Sequence, residues 1–422
     1  MKTYTPKLDT VVLDRLRDYA ATFAPDFPQA KPAAWAGVYL QGLLLDGERK
    51  SIEPLSRRVR LPQGLTSKDP EQALQQFVNQ SPWDEQRVLR RYRARLADAF
   101  ASPEGIFLFD DVSLPKQGTH SVGVQRQYCG ALGKKANCQV LVSVHYVSPT
   151  GHYPLDLRLY LPDQWLADSD RLDQAGVPPQ QRRPLIKAQI ALELLDRVRT
   201  EGLPGWAAVA DAGYGVSGEF RAGLAARGLR YIVGVTEDLV AFPQPPQWLP
   251  PAPATGGRPQ TRPQLAEGSP PPVPLHELAA RVPRRRVTWR QGTKGKLSGH
   301  FAWLRVWPGQ GWQRGECAGA EPVWLLIEEQ SDGKIKYAFS NLPADTRCQQ
   351  AVRLWKSRWP VEQGYQQLKE ELGLDHFEGR SWRGLHHHVC LTLLAYGFLL
   401  LERWRAQRRR PRHRKKGAPS RC

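Results

Sequence analysis

The first 100 residues show the three- and four-residue spacing of apolar side chains that is typical of α-helices. The pattern runs through VVLDRLRDYAATFA, WAGVYLQGLLL and EQRVLRRYRARLADAF, and no strand pattern interrupts it. The stretch RKSIEPLSRRVRL between them is basic. Residues 1–100 are therefore predicted to form an all-helical domain that binds DNA or mediates dimerisation, although solvated helix faces carry similar charges.

From Gly105 onward the pattern changes to segments of β type. IFLFDD, QVLVSVHYVS and HYPLDLRLYL are joined by turns containing Gly, Pro and Ser, and they predict a three-stranded meander. A helical stretch, a strand ending in VADAGYG, a short helix and a further strand follow. Residues 105–240 are thus predicted to form the first part of an α/β core.

The second half of the chain alternates between segments that lack a regular spacing of apolar residues and segments that have one. Residues 241–283 hold 13 of the 36 prolines and are predicted to be an extended linker without packed secondary structure. Residues 284–345 return to a Trp-rich β pattern, predicted as an inserted subdomain, and residues 346–401 are predicted to complete the core. The basic tail, residues 402–422, is predicted to be disordered when unbound.

The charge balance points to a polyanionic partner. The chain has 60 Lys and Arg against 41 Asp and Glu, a formal net charge of +19, which favours nucleic acid or an acidic membrane surface. The longest apolar run, residues 389–401, is shorter than the roughly 20 residues of a spanning helix. The six cysteines form no C-x-x-C pair. We therefore expect a reduced, cytoplasmic protein associated with the nucleoid.

Acidic residues end two of the predicted strands. Asp110 and Asp111 follow the apolar run IFLF, and only one of the two can point into a given site because side chains alternate along a strand. Asp211 ends the strand AAVAD, and the glycines after it allow a sharp turn. Strand ends are where α/β folds place their functional sites, although a solvated Asp at a turn has the same pattern.

A third carboxylate lies in the final helical region. Trp355, Arg358, Glu362 and Lys369 are separated by three, four and seven residues and are predicted to share one helical face. A surface salt-bridge stripe explains Arg358 and Glu362 but not the aligned Trp355 and Lys369. Pro360 is expected either to kink this helix or to stand in the first turn of a new one.

Three carboxylates of this kind are suited to hard divalent cations. Two Mg²⁺ ions, for which Mn²⁺ can substitute, prefer oxygen ligands and leave positions open for phosphate oxygens and water. The catalytic and metal-binding residues predicted from the sequence are accordingly one of the pair Asp110 and Asp111, together with Asp211 and Glu362.

These motifs resemble the DDE transposases of bacterial insertion sequences, in the IS-four-like superfamily and its IS-seven-zero-one group. The family signature Tyr-x-x-Arg-x-x-x-Glu-x-x-x-x-x-x-Lys corresponds to Trp355, Arg358, Glu362 and Lys369, with Trp in place of Tyr. The stretch FDDVSLPKQGTHSVGVQRQYCGALGKKANCQV resembles the first catalytic block of the group, and VADAGYG resembles the second.

The resemblance implies an α/β fold with an RNase H-like core, a mixed sheet with flanking helices, interrupted by an inserted β-rich subdomain and preceded by the all-helical domain. It favours Asp110 over Asp111 and implies contacts to DNA by Trp355, Arg358 and Lys369. The partners implied are the terminal inverted repeats of the transposon and the target DNA, held by a homodimer because two ends must be brought together.

Three other functions fit parts of the pattern. An RNase H-like nuclease without joining activity and a catalytically idle, transposase-derived DNA-binding protein share the same surfaces, and a glycosidase also uses paired carboxylates. The charge of +19 argues against the glycosidase. The triplet His386, His387 and His388 cannot chelate one ion together because consecutive helical residues point about 100° apart, and contact with phosphate or a polar helix end is expected instead.

Overall fold

The structure, a computed structural model, describes residues 10–251, 261–292 and 295–409. The chain divides into two compact units. The first comprises Met1–Ala99, Asp173–Val177 and Gln366–Cys422, and the second comprises Phe100–Leu172 and Pro178–Tyr365. The part of the tail beyond residue 409 lies outside the described residues, whereas its first residues continue a helix.

The α-helices of the described residues are α1 (Thr10–Thr22), α2 (Ala30–Leu44), α3 (Ile52–Ser56), α4 (Pro70–Asn79), α5 (Glu85–Phe100), α6 (Asp163–Leu166), α7 (Ser169–Gln174), α8 (Lys187–Thr200), α9 (Ala212–Gly215), α10 (Gly218–Ala226), α11 (Leu275–Arg281), α12 (Cys348–Trp355), α13 (Trp359–Gln366) and α14 (Trp382–Arg409). The strands are β1 (Ile106–Pro115), β2 (Gln125–Cys129), β3 (Lys134–Ser148), β4 (Gly151–Leu159), β5 (Ala207–Ala210), β6 (Arg230–Val235), β7 (Val240–Phe242), β8 (Trp248–Leu249), β9 (Gln264–Leu265), β10 (Val273–Pro274), β11 (Arg285–Gly292), β12 (Gly295–Pro308), β13 (Val323–Glu329) and β14 (Ile335–Ser340).

The first unit is helical, as the apolar spacing of the first 100 residues predicts. Helix α4 begins in the expected way, because Asp69 caps it by accepting the Gln72 backbone N–H and Pro70 stands at its first position. Helix α14 packs against α2 and α4. The prediction assigned residues 346–401 to the catalytic core, but the structure groups those from Gln366 onward with the N-terminal helices.

The histidine triplet of α14 is buried and does not form the polar helix end that the sequence suggested. The two ring nitrogens of His387 lie 2.8 and 2.9 Å from the backbone carbonyl oxygens of Val78 and Trp83, and its ring stacks on Trp83. His388 bonds the Tyr39 hydroxyl and the Gly373 carbonyl. Burial lowers the pKa of His387 to about 4. These rings therefore join α14 to the N-terminal helices rather than contacting phosphate.

Helix α14 is also the one described helix long and apolar enough to cross a membrane by length and composition. In the segment Trp382–Arg408, 89% of the most apolar window is buried in the structure. Burial of this extent is the environment of a core helix.

The second unit is built on a mixed sheet. Strand β1 pairs antiparallel with β3 on one side and parallel with β5 on the other, and β5 pairs parallel with β6. Strand β4 pairs antiparallel with β3, which completes the predicted meander. The extra strand β2, which the sequence prediction missed, pairs with the beginning of β3.

The strands predicted as an inserted subdomain continue this same sheet. Strand β14 pairs antiparallel with β6, and β13, β12 and β11 follow in order. An unpaired β6 would expose a row of backbone N–H and C=O groups, and pairing with β14 satisfies them. The insertion therefore extends the core sheet at an edge.

The described residues of the proline-rich segment, 241–251 and 261–283, are more ordered than the linker prediction assumed. Short strands β7 and β10 pair with each other, and helix α11 follows Pro274 directly. Leu275, Leu278 and Ala279 of α11 are buried in an apolar cluster with strands β12 and β13. All prolines of the segment except Pro283 precede LHELAAR, whose apolar spacing is helical, and Pro274 itself has the extended conformation that precedes a helix.

We expect His387→Phe to lower the free energy of unfolding by about 1–3 kcal/mol, because the new ring can still stack on Trp83 but lacks the one N–H that the neutral imidazole donates to the Val78 or the Trp83 carbonyl. Urea unfolding followed by circular dichroism measures this. Gln407→Ala, an exposed position on the same helix, serves as the control. Equal midpoints for the two variants would contradict a role for the histidine in joining the helices.

Candidate active site

The two neighbouring aspartates of β1 point to opposite faces of the sheet. Asp111 is occupied by structural partners, since Lys187 of α8 lies 2.5 Å from its Oδ2 and the Tyr214 hydroxyl donates to its Oδ1. Asp110 lies opposite Ser143 of β3 in the strand register and faces away from this network. Strand alternation thus leaves Asp110 as the aspartate available for a site.

Asp110 is a largely buried carboxylate in a polar setting. Its side chain is 19% exposed, and Nη2 of Arg358 lies 3.6 Å from its Oδ2. The Asp111 backbone N–H donates to its Oδ1 at 2.9 Å. The pKa of Asp110 is raised to about 7, mainly because burial disfavours the charged form; the Arg358 guanidinium lowers the pKa and the negative charge of Asp211 raises it.

Asp211 stands at the end of β5, the parallel neighbour of β1. It caps the short helix α9, with its Oδ1 accepting the Gly213 backbone N–H at 2.9 Å. Two glycines make this turn possible: a Cβ on Gly215 would lie 1.9 Å from the Gly234 carbonyl oxygen, and one on Gly234 would lie 2.7 Å from the Ala212 nitrogen. The DAGYG turn therefore packs backbone to backbone against β6, which positions Asp211.

The predicted stripe of Trp355, Arg358, Glu362 and Lys369 is not one continuous α-helical face. Helix α12 ends at Trp355, a 3₁₀ turn spans Lys356–Arg358, and α13 begins at Trp359 with Pro360 in its first turn. Because Pro360 has no N–H to continue the α-helical ladder, the chain restarts its helix there.

Each residue of the stripe has a different environment. Trp355 is 7% exposed and its indole N–H donates to Oε2 of Glu328 at 2.7 Å, so it packs in the core instead of facing solvent. Arg358 reaches Asp110, and Glu362 is exposed on α13. Lys369 lies in the first unit, in the π-helical turn Gln367–Glu371.

The structure brings Asp110, Asp211 and Arg358 together but does not complete a set of three acidic ligands. Within the described part of the chain, no group of three His, Cys, Asp or Glu side chains stands ready to hold a metal ion. The mutual repulsion of Asp110 and Asp211 nevertheless marks a place where a cation would be stabilised, since two hard oxygen donors lack sufficient opposing charge.

Two further residues near Asp110, Tyr365 and Ser143, were not predicted from the sequence. Tyr365 of α13 is partly buried, and its hydroxyl forms a hydrogen bond with that of Ser143. The Ser143 hydroxyl also donates to the Asp110 carbonyl at 3.0 Å. Burial and the charge of Asp110 raise the pKa of Tyr365 well above its usual value. The position of Tyr365, three residues after Glu362, is the one clue that helical spacing could have supplied.

Comparison with known proteins places the chain among nucleic-acid enzymes. A family model described as a DDE superfamily endonuclease matches residues 22–296, a segment that contains Asp110 and Asp211. The probable transposase for insertion sequence element IS701 of Microchaete diplosiphon is 30% identical over 195 residues. That match covers 46% of this chain and 46% of the relative, so the chain spans about half of that protein's length.

A more distant likeness is to a chain of the cryo-EM structure of the piggyBac transposase synaptic complex with hairpin DNA. It covers 97% of this chain and 81% of the other, at 10% identity and a TM-score of 0.37, which is too low to establish a common fold. The family assignment depends instead on the sequence match, which extends over more than half of the chain. The chain therefore belongs to the DDE superfamily endonucleases.

Proposed function

We propose that this chain is a DDE transposase that cuts DNA at the ends of an insertion sequence and joins those ends to target DNA. The observation that carries the proposal is the convergence of Asp110 and Asp211 at adjacent parallel strands, with Arg358 3.6 Å from Asp110. The match to DDE endonucleases and the likeness to an IS701 transposase support it.

The proposed metal ligands are Asp110, Asp211 and Glu362, and the proposed ion is Mg²⁺, with Mn²⁺ as a substitute. DDE superfamily endonucleases depend on divalent metal. Bound divalent ions would activate the attacking hydroxyl and stabilise the leaving 3′ oxygen. Asp110 and Asp211 fit this role because their charges repel each other. Glu362, exposed on α13, would supply the third carboxylate.

Other residues of the chain have proposed roles around these carboxylates. Arg358 would hold the scissile phosphate, since its guanidinium is already directed at Asp110. Lys369 would contact DNA as the family signature implies. Trp355 is buried, so its proposed role is indirect: with Lys356 it binds Glu328 and fixes the turn that presents Arg358.

The architecture is compatible with this function. The strand order β4-β3-β1-β5-β6, with β1, β5 and β6 parallel, supports an RNase H-like core. We propose that the helices of residues 10–100 bind DNA or mediate dimerisation, and that the protein acts as a homodimer on DNA because two transposon ends must be joined.

The reaction products distinguish transposition from its two nearest alternatives. Purified protein would be incubated with Mg²⁺ and labelled duplexes that carry the terminal repeats flanking its gene. Joined products identify a transposase, and cleavage without joining identifies a nuclease. Binding without either identifies a catalytically idle DNA-binding protein.

We expect Asp211→Asn and Glu362→Gln each to reduce strand cleavage at least about 100-fold, the order of loss when a group that stabilises the transition state is removed. Asn can still cap α9, so the fold is preserved. DNA affinity should remain, because the cations are unchanged, and gel shifts measure it. The control is Glu219→Ala, an exposed acidic residue of α10. Cleavage at the control's rate by either variant would refute the ligand assignment.

Asp110→Asn should stabilise the metal-free protein, and the gain should depend on pH. The folded protein holds the Asp110 proton more tightly than the unfolded chain, with a pKa of about 7 against 3.8. The wild type therefore loses stability as the pH rises from about 4 to about 7, by up to about 4 kcal/mol at 1.36 kcal/mol per pKa unit. The variant avoids this loss, so its advantage should grow over that range and then level off.

Denaturant unfolding in the presence of a chelator, at several pH values, measures this advantage. Asp111→Asn is the matched control, and it should be less stable than wild type because it gives up the ion pair with Lys187. A stability difference between Asp110→Asn and wild type that stays constant from pH 4 to 8 would show that the folded protein does not shift the Asp110 pKa.

A further inference from the structure

The β2–β3 hairpin, residues 125–138, lies beyond the paired ends of β1 and β4, and its turn folds back against β1, where the Gly130 backbone N–H donates to Oγ of Ser113. The pairing of β1 with β3 ends at Pro115 opposite Cys138, and β4 pairs with β3 only from Leu141 onward. Lys134 to Ala136 of β3 are therefore paired with β2 alone, whereas Asn137 also bonds Lys116 beyond the end of β1. We call this two-stranded ribbon the hairpin arm. A ribbon of two strands has the width that the major groove of duplex DNA admits.

The exposed face of the hairpin arm is basic and aromatic. Tyr128 is 64% exposed and lies directly opposite Lys135, while Arg126 on the same face lies opposite Asn137. Lys134 is exposed at the start of β3. Arg126, Lys134 and Lys135 form no ion pair with any residue that the structure describes. Their charges are therefore available to an external partner.

The surrounding sequence provides no negative charge. Residues 112–155 contain neither Asp nor Glu, although the chain has 41 acidic residues. Cations on ordinary protein surfaces are interspersed with carboxylates, which reduce the local potential. A stretch of this length without them keeps the potential of the hairpin arm positive, and a polyanion is the partner that this potential attracts.

The hairpin arm is held at its turn as well as along its strands. The Gly130 backbone N–H, in the turn, donates to Oγ of Ser113 at 3.1 Å, and the Gln127 side-chain amide donates to the Cys138 carbonyl at 3.1 Å. Cys129, Cys138 and Val140 form a buried apolar cluster beneath it. Because the cations are presented on a braced ribbon, less conformational entropy is lost when they bind a ligand.

The register limits how far the hairpin arm lies from the candidate active site. Asp110 is opposite Ser143 on β3, eight residues after Lys135 on the same strand. At about 3.3 Å per residue a straight strand would separate them by about 26 Å, and the return of the turn to Ser113 shortens this distance. Duplex DNA rises about 3.4 Å per base pair, so the hairpin arm lies within roughly eight base pairs of the site.

We propose that the hairpin arm binds duplex DNA within roughly eight base pairs of the phosphate held at Asp110. Arg126, Lys134 and Lys135 contact phosphates, and the Tyr128 ring packs against the sugar and base edges between them. The position relative to the cut rests on the proposed function, whereas DNA binding by the hairpin arm does not.

The test compares two triple variants of the full chain that remove the same charge. The arm variant carries Arg126→Gln, Lys134→Gln and Lys135→Gln. The control variant carries Arg281→Gln, Lys334→Gln and Lys336→Gln, which are exposed positions elsewhere in the second unit. Affinity for a duplex of about 30 base pairs is measured from low to moderate salt. The salt slope is the steepness with which the logarithm of the binding constant falls with the logarithm of the salt concentration, and each lost phosphate contact reduces it by about 0.9. The salt slope of the arm variant should therefore be smaller than that of the wild type by about 2 to 3, and that of the control variant should be almost unchanged.

Hydroxyl-radical footprinting locates the contact. Wild-type protein should protect a stretch of backbone beside the cut, within roughly eight base pairs of it, and the arm variant should lose that protection while keeping the protection at the cut itself. Tyr128→Ala, which changes no charge, should weaken the same protection with an unaltered salt slope. Circular dichroism checks that each variant is folded.

The two proposals fail in different ways. If wild-type protein binds the duplex but never cuts it, the proposed function fails while the salt slopes still report on the hairpin arm. If cutting proceeds and the arm and control variants have equal slopes and footprints, the hairpin arm is not a DNA-binding surface. The proposal would also be overturned if the arm variant lost no more DNA affinity than the control variant and only the wild type captured an acidic peptide. The surface would then be assigned to a protein partner.

Discussion

Backbone pairing on both sides of β1 is the constraint on which the candidate site depends. With β3 on one side and β5 on the other, the strand cannot rotate, and its pleat sends Asp110 and Asp111 to opposite faces. Asp111 enters a network with Lys187 and Tyr214. Asp110 lies beside Asp211, and the positive charge of Arg358 does not fully offset their negative charges. A slip of one residue would exchange these roles, so the hydrogen-bond ladder determines which group can act as a ligand.

The same sheet connects the site to the rest of the second unit. Strand β6 supports the DAGYG turn through the close approach of Gly215 and Gly234, and its other edge is covered by β14. The long insertion between β6 and α12 therefore returns to the sheet at the strand that braces Asp211. Because the insertion pairs at this edge, its many residues do not separate the carboxylates from the segment that carries Arg358 and Glu362.

The sequence predicted the parts of the structure that depend on local pattern. Strand-end positions identified Asp211, and apolar spacing identified the N-terminal helices. The missed features depend on tertiary contacts. Apolar packing orders α11 within a proline-rich segment, and the hydrogen bond from Trp355 to Glu328 draws a predicted surface residue into the core. The helical stripe was interrupted because Pro360 restarts the helix, an alternative that the sequence had left open.

The first unit is assembled from segments that lie far apart in the chain, and this has a consequence for how the protein is made. Helices α2 and α4 leave the ribosome roughly 300 to 340 residues before α14, the helix that they pack against. At about 5–20 residues per second, the delay is roughly 15 to 70 seconds. During that time their apolar faces lack their native partner, while the intervening second unit can already fold. The apolar faces of the N-terminal helices therefore remain open to other apolar partners, chaperones among them, until α14 has been made.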